Sequence, residues 1–111
     1  MDSQDRKAAR AAYKERKPAF GVYAVICSAT GDAWVGDSRH VDTQKNGLWF
    51  ALRHATGRPA SLQAAWTQHG EAAFRFEELD RLRDDFPDFG RADELKKRRA
   101  LWQARLQAAP L

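Results

Sequence analysis

The sequence predicts an α/β (α+β) domain: a three-stranded sheet flanked by helices in the order ββααβα, with an extra N-terminal helix. Two apolar runs separated by a short turn predict a β-hairpin near residue 30, and helical periodicity and one alternating run follow it. The length of 111 residues and the 43% hydrophobic content fit one domain with a single core. We divide the chain into a basic N-terminal helix at 1–19 and a folded domain at 20–108.

The N-terminal helix is predicted over residues 3–16, which contain no Gly or Pro and are rich in Ala, Lys, Arg and Glu. Ser3 is a candidate N-cap, and Pro18 stops the helix. Its apolar face consists of alanines and Tyr13, so we expect it to dock weakly.

The predicted hairpin begins with a strand at Phe20–Cys27, which is almost entirely apolar. Such a strand is covered on both faces, so we expect it to lie in the middle of its sheet. The second strand is predicted at Ala33–Gly36 and is followed by a loop from Asp37 to Val41. Cys27 is the only cysteine, which predicts a buried thiol and excludes an intrachain disulfide.

Two helices are predicted next. Asp42 is a candidate N-cap for a helix that ends near His54. Ser61 is a candidate cap for the second helix, which Gly70 ends.

The remaining part of the domain is predicted to contain one strand and one helix. The run from Ala73 to Leu79 alternates, with Phe74 and Phe76 on one face. An acidic loop at 84–90 leads into a last helix at 93–108.

The charge pattern indicates an anionic partner. The formal net charge is +4, with basic runs at 1–17 and 91–105 and an acidic run at 77–88. No signal-peptide pattern and no apolar run long enough to cross a bilayer is present, so we expect a soluble, cytoplasmic protein. The chain also lacks a Gly-rich phosphate loop and a metal motif among its histidines and cysteine.

The hairpin also carries a family resemblance. Gly21-Val22-Tyr23, ten intervening residues and Trp34-Val35-Gly36 resemble the paired signature of the GIY-YIG nucleases. The run Leu62–Trp66 with His69-Gly70 and Ala73-Phe74 resembles the family's second helix and the strand that follows it. The resemblance extends from about residue 20 to about 107 and implies the family's small α/β fold.

The resemblance implies a catalytic site. The family uses two tyrosines, an arginine on the first helix and a glutamate on the last helix that holds a divalent metal. The tyrosine positions match Tyr23 and Trp34, and the arginine position falls within 44–47, where Lys45 offers a positive charge. These three residues are the predicted catalytic set.

The metal position differs most from the family. Trp102 resembles the aromatic that follows the glutamate, and three residues before it stands Arg99. A guanidinium does not ligate a hard dication, which takes oxygen ligands. We therefore predict no metal ligands, and Mg²⁺ or Mn²⁺ as a cofactor only if the chain is active through a relocated ligand.

Phosphate contacts are expected from basic side chains around the hairpin and on the helices. Arg39 and His40 follow the second triplet and should lie at the mouth of the cleft. The predicted nucleic-acid-binding residues are Arg39, His40, Arg53, Lys96, Arg98 and Arg99.

Three functions remain open at this point. The first is a GIY-YIG-like domain that binds nucleic acid, DNA in preference to RNA, with its cleavage chemistry impaired. The second is an active metal-dependent endonuclease. The third is a protein-interaction module on a nuclease-derived scaffold, for which the four tryptophans and the acidic run at 77–88 are the motivation.

Overall fold

A computed structural model describes residues 18–111, which form one mixed sheet with helices on both faces. The strands are β1 (Gly21–Cys27), β2 (Ala33–Ser38), β3 (Phe74–Arg81) and β4 (Ala109–Pro110). The helices are α1 (Val41–Arg53), α2 (Ala60–His69) and α3 (Arg91–Leu106), and a 3₁₀ turn occupies Glu71–Ala73. The predicted N-terminal helix lies outside the described residues.

The predicted hairpin is confirmed, and β1 lies inside the sheet. The strand order is β3-β1-β2-β4, with β1 antiparallel to both β2 and β3. Gly31 turns the hairpin with a φ of 80°, a conformation that glycine adopts without a steric penalty. Cys27 is fully buried, as predicted.

Alternation along β1 separates the core into two layers. Tyr23, Val25 and Cys27 belong to the larger cluster, which includes the apolar side chains of α1 and α2. Val22 and Ala24 belong to the other cluster, which includes Leu95 of α3. β1 is hydrophobic without interruption because both of its faces are packed in the core.

The sheet has four strands, and the three-stranded prediction is wrong in its count. Gln107 reverses the chain after α3 with a φ of 51°, and Ala109–Pro110 then pair in parallel with β2. A two-residue strand of Ala and Pro has neither the length nor the β-branched composition that marks a strand in a sequence. The predicted order ββααβα is otherwise observed.

The end of β2 corrects a second expectation. The strand continues through Asp37 to Ser38, paired with Val22 and Gly21, where a loop was expected. Asp37 and Ser38 are polar, so the sequence does not show the apolar pattern of a strand there. Their backbone groups nevertheless continue the hydrogen-bond ladder with β1.

The two predicted helix caps do not form. His40 is the N-cap of α1 and Pro59 the N-cap of α2, each without a side-chain capping bond. Asp42 instead binds Arg81, and Ser61 accepts a hydrogen bond from Trp34. Gly70 does end α2, with a φ of 83°.

The last strand and the last helix are displaced slightly from their predicted bounds. β3 runs two residues past Leu79 to Arg81, and α3 begins at Arg91 instead of at Asp93. Among the described residues, none of the helices has the length and apolarity needed to cross a membrane.

Candidate functional site

Tyr23 lies near the middle of the sheet, between Gly36 on β2 and Glu78 on β3. Its side chain is 2% exposed and stacks on Phe76 with ring centroids 4.9 Å apart. A Cβ at residue 36 would lie 3.0 Å from the tyrosine hydroxyl oxygen. Glycine at that position therefore makes the room that the hydroxyl occupies.

A chain of hydrogen bonds holds the Tyr23 hydroxyl. Gln44 of α1 donates from Nε2 to this oxygen at 3.3 Å, and Ser38 donates from Oγ to Gln44 Oε1 at 2.8 Å. The Ser38 Oγ in turn accepts the backbone N–H of His40 at 2.9 Å. The hydroxyl is thus tied to the end of β2 and to the first turn of α1.

The surroundings of Tyr23 oppose its ionisation. Burial raises the pKa of the phenol to about 12, and the negative charge of Asp37 adds to the increase, while the bond from Gln44 opposes it. At neutral pH the hydroxyl is protonated, so it can donate a hydrogen bond but is a poor general base.

Arg99 forms an ion pair with the residue that follows the second triplet. Its Nη1 lies 3.1 Å from Asp37 Oδ2, and both side chains are about one third exposed, at 35% and 31%. The pair joins α3 to the end of β2. The guanidinium of Arg99 is therefore bound to a carboxylate at the end of β2.

The donor groups near this ion pair do not fit a divalent metal. No group of three or more His, Cys, Asp or Glu side chains that could hold an ion occurs within residues 18–111. Two carboxylates of β3 already bind arginines, since Glu78 pairs with Arg81, and Asp80 pairs with Arg98. A hard cation needs several oxygen ligands, which this arrangement does not offer.

Trp34 is a core residue. It is 4% exposed, its Nε1 donates to Ser61 Oγ at 3.0 Å, and its ring packs near Phe74. The indole therefore links β2 to α2, and its only donor is already used. Trp34 forms no hydrogen bond and no ring stacking with Tyr23, so the structure adds no support for its predicted catalytic role.

Lys45 forms no hydrogen bond with the Tyr23 hydroxyl, which its neighbour Gln44 contacts instead. Lys45 is exposed, and its Nζ lies 5.4 Å from the centroid of the Trp49 ring. Within the predicted window 44–47, the residue directed at the tyrosine is thus the glutamine.

The predicted nucleic-acid-binding residues divide into two groups. Arg39, His40 and Lys96 are exposed. Arg53 binds Glu71, and Arg98 binds both Glu94 and Asp80. The structure brings Arg99 and Arg98 to α3 on one face of the sheet, whereas Arg53 lies on α1.

Most arginines of the domain are neutralised by carboxylates. Residues 18–111 contain thirteen Lys and Arg side chains and twelve Asp and Glu side chains. Seven of their ten arginines form ion pairs. The cations that have no ion-pair partner within this part of the chain are Arg39, Lys45, Arg58, Lys96, Lys97 and Arg105.

Comparison with solved structures identifies the fold. The catalytic domain of the homing endonuclease I-TevI superposes with a TM-score of 0.67 at 16% identity, covering 83% of this chain and 97% of that domain. A mutant of the same domain gives a TM-score of 0.67 at 17% identity, over 80% of this chain and 84% of that one. The chain has the GIY-YIG fold. No protein-family model and no curated protein matches the sequence.

Within the GIY-YIG fold, three residues of this site were not predicted from the sequence as site residues. Gln44 lies within the window 44–47 that the resemblance gives for the arginine, where the sequence favours Lys45 because lysine carries a charge. Ser38 and Asp37 were assigned to a loop, so their contacts with Gln44 and Arg99 were not foreseen. A strand that extends to Ser38 pairs Asp37 with Val22 and Ser38 with Gly21, the two residues before Tyr23.

Proposed function

We propose that this chain is a nucleic-acid-binding domain of the GIY-YIG fold, directed at DNA in preference to RNA, with impaired phosphodiester cleavage. The ion pair between Arg99 and Asp37 is the observation that supports this proposal. A positive side chain stands where the resemblance expects a metal-binding carboxylate, and it is held there by a partner.

Cleavage of a phosphodiester needs an activated nucleophile, charge stabilisation on the phosphate and help for the leaving oxygen. The Tyr23 hydroxyl is protonated at neutral pH, and burial moves its pKa further from that range, so it does not readily activate water. The guanidinium of Arg99 would repel a divalent ion. These residues thus favour holding a phosphate over breaking its ester bond.

Binding would use the exposed cations near the site. Arg39 and His40 lie at the junction of β2 and α1, and Lys96 lies on α3. Arg99 is partly exposed, so its guanidinium can exchange the Asp37 carboxylate for a phosphate oxygen. Such contacts are electrostatic and independent of sequence.

The test measures binding and cleavage together. Affinity for a labelled DNA duplex and for an RNA duplex of the same sequence is followed by fluorescence anisotropy over a salt series. Plasmid nicking is followed with Mg²⁺ and with Mn²⁺. We expect an affinity for DNA that falls as salt rises, weaker binding of the RNA duplex and no nicking above background.

A matched pair of variants makes the test specific. Arg39→Ala removes an unpaired cation beside the site and should weaken DNA binding about threefold to tenfold. Arg83→Ala removes an exposed cation that is already paired with Asp85 and should change affinity little. Salt-independent binding, or no binding, overturns the proposal. Metal-dependent nicking that Tyr23→Phe abolishes would establish the active endonuclease instead.

A further inference from the structure

The outer face of α1 contains a groove of about 380 Å³ that the site around Tyr23 does not use. It lies between α1 and the 3₁₀ turn, and six residues line it: Lys45, Asn46, Trp49, Phe50, Arg53 and Glu71. A volume of this size is at the small end of ligand-binding pockets, so it suits a group about as large as one nucleotide.

Phe50 presents an aromatic face to solvent in this groove. Its side chain is 61% exposed, and its ring lies 4.3 Å from that of His54 at an interplanar angle of 45°. One exposed apolar side chain alone indicates nothing. Here, however, the ring stands beside a cation and an amide at the edge of a cavity.

Three charged side chains also line the groove. Arg53 binds Glu71 through two bonds of 2.6 and 3.0 Å, so this wall carries no net charge. Lys45 lies two turns before Arg53 on α1 and forms no ion pair within residues 18–111, although, after the hydrogen bond from Arg53, its charge helps to lower the pKa of Glu71. Its Nζ lies over Trp49. The groove therefore combines an aromatic surface with one available positive charge.

This combination matches a single nucleotide, which has a flat π-face at one end and a negative phosphate at the other. Bases stack on exposed aromatic side chains without regard to sequence, and a lysine binds the backbone phosphate. A base within a duplex has both faces covered by its neighbours. Only an unpaired base can place a face against Phe50.

We infer that the groove binds one unpaired nucleotide of a single-stranded segment, with its base against Phe50 and a phosphate at Lys45. The inference rests on the proposed nucleic-acid binding and adds the class of nucleic acid to it. A junction between single-stranded and duplex DNA would then contact both this groove and the cations near Tyr23.

Fluorescence anisotropy tests the inference with three DNA probes: an oligothymidylate of about twelve nucleotides, an abasic strand of equal length, and a duplex. Phe50→Ala should weaken binding of the oligothymidylate about tenfold and leave the abasic strand and the duplex unchanged. Phe50→Trp should retain the wild-type affinity because indole also stacks. Lys45→Ala should reduce the slope of log K against log salt for both single strands by the amount that corresponds to about one phosphate contact.

Leu101→Ala is the matched control. Leu101 is 55% exposed on α3, so its truncation removes similar apolar surface away from the groove and should alter no affinity. Phe50 is exposed, and a thermal unfolding curve should show that its variants fold as the wild type does. Equal effects of Phe50→Ala on the oligothymidylate and the abasic strand, or no effect on either, overturn the inference.

Different results would overturn the two proposals. If the wild type binds duplex DNA but not the oligothymidylate, the inference is wrong and the proposed function stands. If the wild type binds none of the three probes, the proposed function fails, and the inference fails with it.

Discussion

Tyr23 combines deep burial with a polar hydroxyl, and the neighbouring residues determine what that hydroxyl can do. Gly36 leaves space for it, Gln44 donates to it, and Asp37 raises its pKa. Each of these effects has a sign that an experiment can test.

Stability should depend on pH through Tyr23 in the alkaline range. An unfolded tyrosine ionises near pH 10 and the folded Tyr23 near pH 12, so the unfolded state loses its proton first. The free energy of unfolding should therefore fall by about 1.4 kcal/mol per pH unit between pH 10 and 12, and this contribution is fully present below pH 10. Urea unfolding curves over this range measure the slope.

Tyr23→Phe is the control for that slope, because it retains the ring and removes the ionisable group. Its unfolding free energy should lack the Tyr23 contribution, whereas the ionisation of exposed lysines affects both proteins alike. Asp37→Asn should lower the pKa of Tyr23 in the folded state, so the loss of stability should still begin near pH 10 but end at a lower pH and be smaller in total. A wild-type profile identical to that of Tyr23→Phe would contradict the assignment.

Replacing the guanidinium at 99 by a carboxylate tests whether this position can contribute to a metal site. Arg99→Glu should destabilise the metal-free protein by about 1 kcal/mol, since it removes the pair with Asp37 and adds like-charge repulsion. Added Mn²⁺ should restore part of this loss in a thermal melt, because two carboxylates then face each other. Arg99→Gln, which adds no carboxylate, should not respond to Mn²⁺. An unresponsive Arg99→Glu protein would show that the two side chains do not share a metal position.

At the scale of elements, Asp80 connects β3 to α3. It accepts hydrogen bonds from Arg98 at 3.0 Å and from Trp102 Nε1 at 3.2 Å, and its side chain is 28% exposed. Arg98 also binds Glu94 one turn earlier on α3. The predicted phosphate ligand Arg98 is therefore engaged in holding the helix on the sheet.

Asp80→Ala should lower the unfolding free energy by about 1–2 kcal/mol, because Trp102 and Arg98 lose a shared, charged acceptor. Urea unfolding followed by circular dichroism measures the change. Asp85→Ala breaks the exposed pair with Arg83 and should have an effect near zero. Equal stabilities of the two variants would refute a structural role for Asp80.

The elements that depend on neighbouring residues in the sequence were predictable, and those that depend on distant residues were not. The hairpin and α2 were predictable, because the apolar runs and Gly70 are local signals. The continuation of β2 through Asp37 and Ser38 was not, since backbone pairing with β1 overrides their polar character. The bond between Trp34 and Ser61 was also hidden, because it joins residues 27 positions apart.

At the scale of the whole molecule, the basic character is unevenly distributed. Residues 18–111 carry a formal charge of +1, with thirteen basic and twelve acidic side chains. Residues 1–17 contain six basic and three acidic side chains, so most of the net charge of +4 lies there. The overall basicity was evident from the sequence, but the pairing of seven arginines with carboxylates was not.

Removing residues 1–17 should therefore weaken DNA binding more than any single substitution in the folded domain. The slope of log K against log salt should decrease by about 0.9 for each phosphate that the shortened protein no longer neutralises, which we expect to amount to at least about two units. Anisotropy titrations at several salt concentrations measure the slope for both proteins, and a thermal melt checks folding. An unchanged slope would mean that the folded domain alone binds the phosphates.

The short strand β4 has a consequence for self-association. Ala109–Pro110 pair with β2, and the N–H of Leu111 donates a hydrogen bond to Val35 O. β4 therefore forms one edge of the sheet. Proline has no N–H to offer to a further strand, and β3 at the opposite border carries charged side chains such as Arg75 and Glu77. Both margins thus discourage strand addition from a neighbouring copy.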